Sequence, residues 1–164
     1  MQPRRLLLVR HAKAAGGAVD ADRPLTHRGE RQAAAIGPWL QQAGLLPDRV
    51  LVSPARRAVQ TWAQVAGGLA AAPEKVVDPR IYDNTVEALL EALRELPDDA
   101  LTVALVGHNP SVGELSLVLD DGEGSGRDDE AGFPTGAVAV FTLPTSWHAV
   151  GPGTATLVDF RAPD

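Results

Sequence analysis

The 164-residue sequence contains no cysteine. Disulfides, thiolate nucleophiles and cysteine-ligated zinc or iron–sulfur centres are excluded, so covalent chemistry has to use another side chain. Positive charge is the scarcer sign, with 15 Lys and Arg against 21 Asp and Glu for a net charge of −6. Sequence-independent binding to nucleic acid or to an anionic membrane needs a basic footprint, so neither partner is expected, although local positive charge at a site is allowed. No apolar run approaches the roughly 18 to 20 residues of a membrane span, and no internal repeat or long low-complexity tract is visible. Met1 to Arg5 followed by four apolar residues mimics the start of a signal peptide. That run ends too soon, on Arg10 and His11, and reads instead as the first strand of a cytoplasmic protein.

What is present suits one globular domain spanning 1–164, with ordinary fractions of apolar (45%) and charged (22%) residues. Leu6-Leu7-Leu8-Val9 has strand length and is apolar on both faces, the pattern of a buried strand in a parallel sheet. The small and polar stretch from Lys13 to Thr26 is loop chemistry. Thr26 predicts a helix start, Ala33, Ile36 and Leu40 face a core, and Gly44 stops the helix, with Pro38 predicting a kink or early break. Asp48 to Val52 is a second strand ending on Ser53-Pro54, read as N-cap and first turn of a helix from Ala55 to about Leu69. Val76-Val77 is a weak strand before a turn at Asp78-Pro79. Asn84 and Glu87 have the form of a capping box before the stripe Val86, Leu89, Leu90, Leu93, Leu96, which reads as core packing. Leu101 to Val106 is a strand running into Gly107-His108-Asn109-Pro110, where Asn109 is placed to cap and Pro110 to open the next helix, and Gly107 to let a ligand approach the backbone. Asp120 to Gly132 lacks periodicity and reads as a loop. Ala137–Phe141 and Ala155–Phe160 suit an antiparallel edge pair, with Trp147 and His148 in their linker and His148 at the surface.

Three strand-to-helix junctions thus send polar groups to one sheet edge: Arg10 and His11, then Ser53 and Arg57, then His108 and Asn109. Arginine is a permanent forked cation suited to phosphate oxygens, and a neutral imidazole is a nucleophile near pH 7. A shared anion site at helix N-termini is the economical reading. No His-x-His or His-Glu-x-x-His spacing supports a metal, and none is expected.

Arg10-His11, the block Ser53-Pro54-Ala55-Arg56-Arg57-Ala58-Val59-Gln60-Thr61, and Gly107-His108-Asn109-Pro110 resemble the three signature blocks of the histidine phosphatase superfamily. Asp22-Arg23-Pro24-Leu25-Thr26 and the short chain resemble its SixA-like branch, whose members include phosphohistidine phosphatases. The resemblance implies a phosphoglycerate mutase-like α/β fold: a three-layer sandwich with a mainly parallel central sheet, an antiparallel edge strand and helices on both faces. It implies His11 as nucleophile, Arg10 and Arg57 on the phosphoryl group, His108 completing the pocket and Arg23 on the substrate side; the chemistry itself expects His108 protonated, and the junction residues Ser53 and Asn109 join the substrate-binding set. No cofactor is implied, and the partner is a phosphorylated protein or a small phosphorylated molecule. Many ester-cleaving members carry a glutamate acid where this chain reads Pro79 to Asn84, leaving Asp83 as the possible acid. Its absence favours a P–N substrate, whose imidazole leaves as a neutral ring. A phosphatase of small esters and a silent phosphate-binding module are the alternatives.

Overall fold

The computed structural model describes residues 3–124 and 132–163. Its centre is β1 (Arg4–Arg10), in which Leu6, Leu7 and Leu8 are fully buried. With β2 (Arg49–Val52), β3 (Lys75–Val77), β4 (Thr102–Gly107), β5 (Val138–Leu143) and β6 (Thr156–Arg161) it forms one sheet of order β3-β2-β4-β1-β5-β6. The pairings β3–β2, β2–β4 and β4–β1 are parallel, whereas β5 is antiparallel to both β1 and β6. The last two strands form the antiparallel edge pair expected, with the reversed strand, β5, one place in from the edge.

Period-two alternation divides the core. Leu6, Leu8, Val103, Leu105, Ala139 and Phe141 pack with Leu89 and Leu93 of α4 (Val86–Arg94) and Leu115 of α5 (Ser111–Leu119). Leu7, Val9, Ala104, Val106, Val138 and Val140 pack with Ile36 and Leu40 of α1 (His27–Ala43) and Trp62 and Val65 of α2 (Arg56–Gly67). Helices on both faces make the three layers, and explain why β1 reads as an unbroken apolar run.

The ends of α1 follow the sequence: Thr26 Oγ1 accepts from the Gly29 amide at 3.0 Å, and Gly44 stops the helix at φ 70°. Pro38 does not break it. It removes one backbone donor, and the tight seam with α2 holds the helix together; a Cβ on Gly37 would lie 2.5 Å from the Val65 carbonyl oxygen. Other starts are displaced from the expected residue. α2 begins at Arg56 with Ala55 at the N-cap, and Ser53 Oγ pairs with His108 Nε2 as well as with the Ala55 amide. The expected turn at Asp78-Pro79 is a short helix, α3 (Pro79–Asp83), capped by Asp78. Thr85, not Asn84, caps α4 through the Ala88 amide. Asn84 is left-handed at φ 64°, donates Nδ2 to the Asn109 carbonyl at 2.8 Å and accepts from the Ser111 amide at 3.1 Å. α5 starts at Ser111, and Asn109 Oδ1 reaches forward to the Gly113 amide. His148 is exposed, as expected, beside the buried Trp147.

Of the loop read over Asp120 to Gly132, residues 125–131 lie outside the described residues. Among the described residues no helix is long and apolar enough to cross a membrane.

Candidate active site

Strand order places the site. β1 and β4 are neighbours with Arg10 opposite Gly107, yet α1 packs on one face of the sheet and α5 on the other. The chain therefore parts in opposite directions after these two strands, which opens a crevice at their carboxyl ends, where α/β sheets hold ligands. The ladder continues one step, the His11 amide donating to the Gly107 carbonyl at 3.0 Å, so His11 and His108 come out side by side. Their ring centroids are 5.2 Å apart. On the far side of β4 the Ser53 amide donates to the Val106 carbonyl at 3.1 Å, bringing the start of α2 and Arg57 to the same edge.

A hollow of about 310 Å³ forms there, lined by Arg10, His11, Arg23, Arg57, His108 and Asn109 together with Lys13, Ala14, Asn84 and Thr135. A larger hollow, about 650 Å³ between α4 and α5, shares Asn84 but offers no cation among the described residues. Of the eight residues the sequence singles out, six line this hollow and two stand elsewhere. Ser53 is fully buried behind His108, its Oγ 2.7 Å from Nε2. Asp83 is exposed at the end of α3 and outside the lining; the neighbouring Asn84 reaches the hollow instead. Gly107 also differs from its reading. A Cβ there would meet Ile81 Cγ2 at 2.9 Å, so the glycine yields space to the core, not to a ligand.

His11 Nδ1 donates to the Ala12 carbonyl at 2.7 Å, which leaves Nε2 as a bare lone pair. Burial, assisted by Arg57, Arg10 and Arg23 and opposed by that hydrogen bond, lowers its pKa to about 4. Thr61 braces this arrangement, accepting from the Ala12 amide at 3.0 Å and donating to the Arg57 carbonyl at 2.7 Å. His108 is lowered further, to about 3, by burial and then by His11 and Arg57. Burial therefore favours a neutral His108, where the sequence reading expects a protonated one. Ser53 Oγ accepts from the Ala55 amide at 3.2 Å, so its own proton is available for His108 Nε2. Nδ1 of His108 is buried with no partner among the described residues.

The cations are held by oxygen acceptors. Arg10 Nη1 donates to the Phe133 carbonyl at 3.0 Å, which also receives Asn109 Nδ2 at 2.9 Å. Arg57 donates to the Asp20 carbonyl at 2.8 Å and to its carboxylate at 3.1 Å. Arg23 Nη1 meets the same carboxylate at 2.9 Å, and the Tyr82 hydroxyl donates to it at 2.6 Å. These bonds, that from Tyr82 first, hold Asp20 well below the usual carboxylate range. Sequence reading missed Asp20. Nothing local separates it from Asp22, and two of its partners, Arg57 and Tyr82, lie on α2 and α3. Among the described residues no three His, Cys, Asp or Glu side chains gather as metal ligands would.

A doubly wound α/β sheet with paired histidines and three arginines at its switch point is of the phosphoglycerate mutase-like class. The chain belongs to the histidine phosphatase superfamily, whose branch 1 model matches residues 6–88. It is 33% identical over 147 residues to the phosphohistidine phosphatase SixA of Escherichia coli K12, covering 87% of each chain. A structure assigned to SixA from Nakamurella multipartitia superposes with a TM-score of 0.87 at 32% identity, covering 99% of this chain and 98% of that one. The protein histidine phosphatase SixA complexed with tungstate gives 0.79 at 29% identity, over 96% of both chains.

Proposed function

We propose that residues 1–164 form a single metal-independent phosphohistidine phosphatase domain with His11 as nucleophile. The observation that carries this is the bare Nε2 of His11, fixed by the Ala12 carbonyl and facing a hollow walled by Arg10, Arg57 and His108. In the first step the Nε2 lone pair attacks phosphorus in line, and the P–N bond of the substrate breaks. Its electron pair stays on the substrate imidazole, which leaves as a neutral ring when its other nitrogen carries a proton. Negative charge on the equatorial oxygens is met by Arg10, Arg57 and Arg23, with His108 beside them in the lining. In the second step water attacks the phosphoenzyme, the P–Nε2 bond returns its electrons to His11, and both water protons leave on phosphate.

The P–N substrate class is supported by the carboxylates. Asp83 lies outside the hollow, and Asp20, within reach of the arginines, is held ionised and has no proton to give. An alkoxide leaving group would need such a proton. Purified protein should release phosphate from a phosphohistidine peptide and from phosphoramidate faster than from sugar phosphates or phosphoserine. His11→Ala should lose at least about 10³-fold in kcat, and acid-labile phosphate should be trapped on His11 of the wild type. Full activity in His11→Ala overturns the mechanism.

A further inference from the structure

The hollow of about 650 Å³ between α4 and α5 meets the pocket of His11 at Asn84, which lines both. Chain order sets its direction. α4 starts at Val86, just after Asn84, and α5 starts at Ser111, just after His108 and Asn109. Both helices set out from the active-site edge of the sheet, so the groove between them leads away from His11 along their length, about 13 Å for the nine residues of α5.

Its floor is aliphatic and its charge is negative. Val86 and Leu90 lie on one face of α4, and Leu117 and Val118 lie a turn beyond Glu114 on α5. Leu117 is 54% exposed, a large side chain with nothing covering it. Glu87 and Glu114, both exposed, supply every charge in the lining, and neither carboxylate has a hydrogen-bond or ion-pair partner among the described residues. Each glutamate suits the first turn of its helix, but that role does not account for the open aliphatic floor between them. The adjoining pocket of His11 has the opposite sign, with Arg10, Arg23 and Arg57 in its lining. A molecule reaching from one hollow into the other is therefore matched when it carries an anion at His11 and, within about 13 Å, an aliphatic group and a cation. A free sugar phosphate has neither of the last two, whereas a polypeptide segment supplies both.

We propose that this groove docks the polypeptide segment flanking the phosphohistidine of a protein substrate, with an aliphatic side chain against Leu90, Leu117 and Val118 and a Lys or Arg against Glu87 and Glu114. The inference rests on the phosphatase reading and narrows its substrate class from any phosphorylated molecule to a protein whose phosphohistidine has basic and aliphatic neighbours.

The test passes a synthetic peptide library, phosphohistidine with about six degenerate residues on each side, enough to run the groove in extended form, over immobilised His11→Ala protein. That variant holds phosphopeptides without consuming them, so binding is read apart from turnover. Sequencing of the retained pool should show Lys and Arg enriched roughly two- to fivefold and aliphatic residues about tenfold at positions on one side of the phosphohistidine. The cation preference should vanish when Glu87→Gln/Glu114→Gln is added and turn to Asp and Glu with Glu87→Lys/Glu114→Lys, while Leu117→Ser should remove the aliphatic preference. With His11 restored, all three groove variants should turn over phosphoramidate itself like the wild type, which shows them folded and the groove separate from the chemistry. A retained pool with no preference, or preferences that survive the groove variants, overturns the docking site. A wild-type dimer that Leu117→Ser dissociates, read by sedimentation, assigns the groove to a second copy of the chain and overturns it too. Failure of the wild type to hydrolyse phosphoramidate and the peptides overturns the phosphatase reading, while the retained pool still decides the groove.

Discussion

The nucleophile and its neighbour illustrate how burial sets chemistry. His11 and His108 are pushed to about 4 and about 3, in each case by desolvation before any nearby cation. The acid limb of kcat/KM, which reports the free enzyme, should therefore fall near pH 4 and not near 6.5 once substrate ionisation is allowed for. Thr61 acts on the same imidazole from behind: Thr61→Val keeps the shape but strands the buried Ala12 amide. It should cost about 1–3 kcal/mol of stability and lower kcat more than it raises KM, measured by urea melts and steady-state kinetics. Asp20 occupies the guanidinium groups that phosphate would use. Asp20→Asn removes that competing charge while the backbone carbonyl still holds Arg57, so inorganic phosphate should bind several-fold tighter by calorimetry, by roughly the 1–3 kcal/mol scale of charged hydrogen bonds at most.

Among the elements, α1 was the most legible: Thr26 and Gly44 mark its ends because both act within a few residues. Where a side chain is claimed by a distant partner, the local signal misleads. Ser53 looks like a cap but serves His108, and Asn84 looks like a cap but ties α3 to α5. The site showed the same division. Arg10, His11, Arg57 and His108 were readable because each stands at a strand-to-helix junction. Asp20, Tyr82 and Thr135 were not, since only the assembled sheet brings them near. Close approach at α1 also escaped the pattern. A Cβ on Gly29 would lie 2.1 Å from the Lys13 carbonyl oxygen, so the helix sits directly on the loop that leaves His11. Gly29→Ala should destabilise by about 1–3 kcal/mol and reduce activity at temperatures well below its unfolding midpoint.

For the molecule as a whole, the buried imidazoles set the acid limit of stability. The unfolded chain takes up protons near pH 6.5, whereas the native state resists until about 4 and about 3, so stability is intact above 6.5 and drains as pH falls through that interval. Across it each histidine gives up about 1.4 kcal/mol per pH unit, and the urea midpoint should decline steadily from pH 6.5 to 4, less steeply in His108→Gln. The parallel sheet with layers on both faces was foreseeable from the two-faced apolar strands. Its order was not, because the sequence does not say that the first strand pairs with the fourth.

That pairing has a kinetic consequence. The two imidazoles belong to opposite halves of the polypeptide and meet only through the adjacent registers of β1 and β4. Neither half alone contains a working centre, and during refolding catalysis should return no earlier than the slow, long-range closure of the middle of the sheet.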